Sequence, residues 1–163
     1  MQMIAGIFDV EVTFGASGNS GSFVMAGWSR PEPQYTFNNG HEACLVLPKL
    51  FDSDRYELSI DLWPFVVPDR LPVQHIEIIV RGTPVAHVAT DSRKRRVIGC
   101  EIPPRAVDGC ENVDITFRFP NAAAPAGVND ASSDTRILAF AFLSVRFSGR
   151  LTEGKEITNL LIA

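Results

Sequence analysis

The chain has 163 residues, 45% of them hydrophobic and 21% charged, with a formal net charge of −4. That length suits a single domain, read here as 1–163, with its own core; the composition is not that of a disordered chain, and no apolar run is long enough to span a bilayer. A net negative charge disfavours nucleic acid as a partner, because that affinity comes mainly from neutralising phosphates.

The N-terminus lacks the basic and apolar regions of a signal peptide, since Asp9 and Glu11 interrupt it at once, so the expected location is cytoplasmic. From Phe8 the chain alternates, with Phe8, Val10, Val12 and Phe14 on one side and Asp9, Glu11 and Thr13 on the other, the period of a half-buried strand. Residues 15–22 are glycine- and serine-rich and form a loop without the spacing of a phosphate-binding loop. A second strand is expected over 23–28, running into Gly27-Trp28-Ser29-Arg30-Pro31-Glu32-Pro33, where two prolines make a rigid extended corner.

A short β stretch at 35–37, a turn at Asn38-Asn39-Gly40 and a strand over 42–47 follow. Asp52 and Asp54 sit in a polar turn with no calcium-binding loop around them. Residues 56–62 alternate, with Leu58, Ile60 and Leu62 inward. After a proline-rich connection, 75–80 and 85–89 flank Arg81-Gly82-Thr83-Pro84 as a hairpin. His75 and Glu77 share its outer face, and His87 falls opposite Glu77 in one register. Those three are the weak metal candidate of the chain, set against the simpler reading of an exposed polar face.

The run Arg93-Lys94-Arg95-Arg96 reads as a solvated loop entering a strand at 96–102. Residues 113–119 alternate again, 121–133 form a surface loop, and Asp134-Thr135-Arg136 leads into 137–147, apolar on both faces at first and therefore expected at the centre of its sheet. The core is expected over 4–147, and 148–163 as a tail whose Ile157, Leu160, Leu161 and Ile162 suit an edge strand or an oligomer contact. Nine or ten short strands without a convincing helix predict an all-β, two-layer antiparallel sandwich of the jelly-roll kind.

Cys44, Cys100 and Cys110 are not spaced as metal or disulfide pairs, which suits buried thiols; Cys100–Cys110 is the sole plausible bridge. No nucleophile, metal-protease or nucleotide-binding motif is present, and no cofactor is implied. Asp9 and Glu11, two apart on one strand face, have the arrangement that sets two carboxylates near a glycosidic bond, and outward polar positions on an ordinary edge strand look identical.

Gly27-Trp28-Ser29-Arg30-Pro31-Glu32, the hairpin from Gln74 and Asp134-Thr135-Arg136-Ile137-Leu138 together resemble the β-sandwich accessory domain appended to bacterial surface-polysaccharide glycosyltransferases and related envelope-glycan proteins. The pattern G-W-S-x-P-E with D-x-R-x-L carries the resemblance; Tyr35 and Phe37 stand where that family would have tryptophan, Arg81 where it would have asparagine, and Ala139 where it would have glycine. The resemblance implies a non-catalytic carbohydrate-binding or glycan-assembly module linked to bacterial exopolysaccharide biosynthesis, with a polysaccharide or a glycosyltransferase as partner.

Two readings of the corner stand side by side. In one, Trp28 with Tyr35 or Phe37 stacks on a sugar ring while Glu32, Asp134 and Arg136 bind its hydroxyls. In the other, Glu32 and Arg136 form a partly buried, bidentate ion pair that staples the corner to the last strand above a packed Trp28. A structural or homo-oligomerising sandwich without a small ligand, and a small glycan-active enzyme, are the alternative functions.

Overall fold

The structure is a computed structural model that describes residues 6–151. Nine strands form two antiparallel sheets: β1 (Gly6–Thr13), β2 (Thr36–Phe37), β3 (Glu42–Pro48), β4 (Arg55–Pro64), β5 (Gln74–Val80), β6 (Thr83–Thr90), β7 (Arg96–Ile102), β8 (Asn112–Arg118) and β9 (Phe140–Leu151). One sheet has the order β1-β9-β4-β7, with β2 also on β9; the other has β3-β8-β5-β6. The expected all-β sandwich of the jelly-roll kind is the observed fold.

The alternating residues close the core between the sheets. Phe8, Val12, Leu58, Ile60, Leu62, Val145 and Phe147 face Ala43, Leu45, Leu47, Ile76, Ile78, Val113, Ile115 and Phe117, and all are buried. Aromatic rings make a seam through it: Tyr56 stacks on Phe147 with centroids 5.9 Å apart, and Phe117 meets Phe142 at 5.2 Å. A helix of four residues, α1 (Pro125–Val128), interrupts the expected loop over 121–133.

Two expectations change. No strand forms over 23–28; the segment follows β3 through one bridge, Val24 to Leu45, then turns away. Gly27 makes that turn with φ +98°, and a Cβ there would lie 2.0 Å from the Glu42 carbonyl oxygen, so only glycine fits where the segment, bonded to β3 through Phe23, Met25 and Ala26, leaves it. The last strand runs to Leu151, so 148–151 belong to the sheet rather than to a tail; Ile157, Leu160, Leu161 and Ile162 lie outside the described residues. Cys44, Cys100 and Cys110 are the free thiols expected, each partly rather than fully buried.

The joint that fixes the early corner to the last strand is Asn38. It is fully buried, its Oδ1 accepts the amides of Ala139 at 2.8 Å and Phe140 at 2.9 Å, and its Nδ2 donates to the Gly40 carbonyl at 2.9 Å. Asn39 Oδ1 adds the Ile137 amide at 3.0 Å. Among the described residues no helix is long and apolar enough to cross a membrane.

Candidate functional site

The corner residues separate onto two sides of the sheet. Trp28 points into the sandwich: its ring lies 4.9 Å from both Phe14 and Phe142, and its indole N–H donates to the Cys44 carbonyl at 2.9 Å. The fold takes up its indole N–H and much of its packing; Trp28 remains partly buried, lines a shallow depression with Pro31 and Thr36, and makes no ring contact with Tyr35 or Phe37.

Arg136 lies on the other side, and its bidentate partner is Asp134, not Glu32. Nε stands 3.1 Å from both Asp134 carboxylate oxygens and Nη2 is 2.7 Å from Oδ2, while Nη1 donates to Ser29 Oγ at 2.7 Å. Glu32 Oε1 is 3.6 Å from Nη1, beyond a hydrogen bond, with the two side chains 38% and 31% exposed. The chain turns back on itself at 134–136, so the nearer carboxylate takes the fork. Hydrogen bonds from the Arg136 side chain, then from its backbone amide, hold the Asp134 carboxyl below its usual range.

The Arg136 guanidinium lies over the Phe37 ring, 5.5 Å from its centroid. Phe37 pairs in register with Ala141 on β9, and Ala141 pairs with Trp63 on β4. The small alanine therefore forms a floor between two outward aromatic rings. Tyr35 closes the group, edge to face with Phe37 at 5.4 Å and with Trp63 at 5.9 Å. On the far side Arg95 lies over Trp63 at 5.7 Å and grips Asp61 through Nε at 2.8 Å and Nη2 at 2.6 Å. Those hydrogen bonds pull the Asp61 carboxyl down as well.

Three rings thus cluster at one end of the outer face of the β1-β9-β4-β7 sheet, bracketed by two arginine–carboxylate clamps. Trp63, Asp61 and Arg95 carry half of this site and were not singled out from the sequence. The available signal was the alternation of β4: with Leu58, Ile60 and Leu62 inward, Asp61 and Trp63 must face out. Arg95 belongs to the basic run, and only the β4–β7 pairing delivers it to Asp61.

Farther along the same face, cross-strand rows carry polar and small side chains. One runs Glu11, Arg146, Ser59, Gly99, and the next Asp9, Ser148, Glu57, Glu101. Ser59 and Gly99 leave a shallow depression of about 590 Å³ beside Arg146. Arg146 contacts both Asp9, at 3.4 Å, and Glu11, at 3.2 Å. The two carboxylates therefore share one guanidinium on a flat sheet instead of facing each other across a cleft, which corrects their candidacy as a catalytic pair.

Elsewhere, Asp52 is paired with the buried Lys49, which also donates to the Val107 carbonyl at 2.8 Å. Burial pushes the Cys100 thiol up to about 11, so it stays protonated at neutral pH. Glu77 does stand opposite His87, but His75 and His87 turn toward each other and Glu77 does not join them. Among the described residues no three His, Cys, Asp or Glu side chains converge, so the three-ligand metal cluster does not form.

No family model matches the chain, and no curated protein matches it in sequence. Solved structures do resemble it in fold. The CBM36-1 domain of a multidomain xylanase from the hindgut metagenome of Trinervitermes trinervoides superposes with a TM-score of 0.51 at 9% identity, over 92% of this chain and 100% of that one. Dimeric latent PorU from Porphyromonas gingivalis superposes with a TM-score of 0.52 at 8% identity, over 96% of this chain but 14% of its own. A carbohydrate-binding module CBM36 in complex with calcium and xylotriose gives a TM-score of 0.42 at 9% identity, over 86% of this chain and 98% of that one. At such identities the likeness is one of fold.

Proposed function

We propose that the chain is a non-catalytic carbohydrate-binding module whose ligand lies on the outer face of the β1-β9-β4-β7 sheet, against Tyr35, Phe37 and Trp63. The observation that carries this reading is the aromatic cluster itself. Three partly exposed rings, with Phe37 and Trp63 flanking Ala141, Tyr35 standing edge to face with both and an arginine over each of those two, give a sugar's C–H groups an aromatic surface to pack against. Arg136, Asp134 and Glu32 on one side and Arg95 and Asp61 on the other supply donors and acceptors for hydroxyls, held in place by their own pairing.

From Trp63 to Glu57 along β4 the face extends about 20 Å at the usual strand rise, room for a short oligosaccharide lying along the polar rows. The sandwich fold, shared with the xylanase's CBM36-1 domain, supports the same reading. The finer assignment, to a module serving bacterial exopolysaccharide assembly beside a glycosyltransferase, rests on the paired motifs around Trp28 and Arg136.

A panel of plant, fungal and bacterial polysaccharides in affinity electrophoresis tests this directly. Retention by at least one polymer, lost in Trp63→Ala with the melting midpoint preserved, is the expected result. Retention unchanged in Trp63→Ala and Tyr35→Ala, or retention by none of the polymers, overturns the site.

A further inference from the structure

The two histidines of the β5–β6 hairpin lie on the other sheet, away from the aromatic cluster. The register sets His75 opposite Ala89 and Glu77 opposite His87, so all three leave the same face and the two histidines are diagonal neighbours. His75 Nδ1 lies 2.9 Å from His87 Nε2, with ring centroids 5.1 Å apart and planes inclined by 32°.

At that separation the two nitrogens share one proton: one ring donates its N–H and the other offers its in-plane lone pair. With the donating ring in its other tautomer, its N–H on the far nitrogen, both facing nitrogens present lone pairs to a metal ion that prefers imidazole. With metal–nitrogen bonds of about 2.0–2.1 Å in tetrahedral geometry, the two nitrogens would stand about 3.3 Å apart, a few tenths of an ångström wider than here. Rotation of the side chains covers that difference. The backbone beneath is fixed, since β5 is paired on one side with β6 and on the other with β8.

The local charge is mixed. Across from Glu77 on β8, Arg118 is already engaged by Glu42 at 2.9 Å, and among the described residues Glu77 is in no ion pair, so its carboxylate sets negative charge beside His87 against the Arg118 opposite it and the Arg96 guanidinium on the Ala89 carbonyl beside His75. We propose that His75 and His87 together bind a divalent transition-metal ion of the zinc, nickel or copper type, with water completing its coordination. The site is independent of the carbohydrate reading.

Zinc ion titrated into the full chain, followed by calorimetry and by the imidazole nitrogen resonances, tests it. The expected result is one ion per chain, with His75 and His87 shifting together and His41 unmoved. His75→Ala and His87→Ala should each weaken binding by about tenfold or more, because the second imidazole acts at high effective concentration. His75→Gln serves if the alanine variant does not fold. Affinity unchanged in the histidine variants, loss only in His41→Ala or Cys44→Ser, or no binding at millimolar zinc overturns the proposal.

Discussion

Tyr35 and Trp63 meet edge to face with centroids 5.9 Å apart and planes at 86°. One comes from the proline-rich corner and the other from the end of β4, while Ala141 of β9 pairs with both Phe37 and Trp63 beneath the group. The pairing turns two separate surface aromatics into one platform, and five expected outcomes follow from it and from the joints that hold it.

Removing the Trp63 ring should cost any bound glycan about 2 kcal/mol, near thirtyfold in Kd, as central aromatic contacts commonly do. Stability should change little, because the ring is on the outer face. Isothermal calorimetry beside a thermal melt separates the two quantities. Trp28→Ala should behave in the opposite way, lowering the melting midpoint by removing a ring packed on Phe14 and Phe142.

Asn38→Ala should destabilise the fold by about 3 kcal/mol or more, since it strands the amides of Ala139 and Phe140 and the Gly40 carbonyl in the interior. Asn38→Asp keeps an acceptor for both amides but loses the donated bonds and buries a charge. Urea denaturation of the three proteins reads the difference.

Glu32→Gln should cost less than about 1 kcal/mol, because the contact with Arg136 is long and solvent-screened on both sides. Asp134→Ala should cost more, since it removes the bidentate acceptor and leaves Arg136 with Ser29 and a distant Glu32. Loss of several kcal/mol in Glu32→Gln under chemical denaturation would contradict the geometry.

Asp61 and Asp134 are each held below the ordinary carboxyl value of 3.8 by hydrogen bonds from Arg95 and Arg136. Depressed folded values mean that the unfolded chain takes up protons first as pH falls. Their stabilisation is therefore present above about pH 4 and lost as pH drops through the folded values. The two pairs are partly exposed, so together they should contribute no more than about 1 kcal/mol. Asp61→Asn with Asp134→Asn should flatten the acid limb of a stability profile measured between pH 2 and 6.

Arg81 stands at φ 47° and Gly82 at φ 83°, in a two-residue turn closed by Val80 and Thr83. Both positions are left-handed, where asparagine is tolerated far better than arginine. Arg81→Asn should raise stability by about 0.5 kcal/mol in denaturant titration, with β5–β6 pairing unchanged.

Much of the fold was legible because alternation survives folding unchanged. The period-two patterns around Phe8, Leu58, Ile76 and Ile115 each became a strand with those residues inward. The doubly apolar stretch before Ser144 also read correctly as central, and the structure supplies its reason. Phe140 and Phe142 fill the core while Ala141 lies under the aromatic platform. What alternation does not encode is backbone conformation: Gly27 ends a segment that is otherwise strand-like because its left-handed φ turns the chain away from β3.

The sequence by itself determined the all-β class, most of the strand positions and the candidacy of Tyr35, Phe37, Asp134 and Arg136, since each depends on local pattern and on residue chemistry. Only the tertiary structure decided which of them share a surface. It sent Trp28 inward, gave Arg136 to Asp134, and brought Trp63 and Arg95 to the site from strands far apart in the chain. Register across a sheet is set by the packing of both faces together, and a one-dimensional pattern records only one strand at a time.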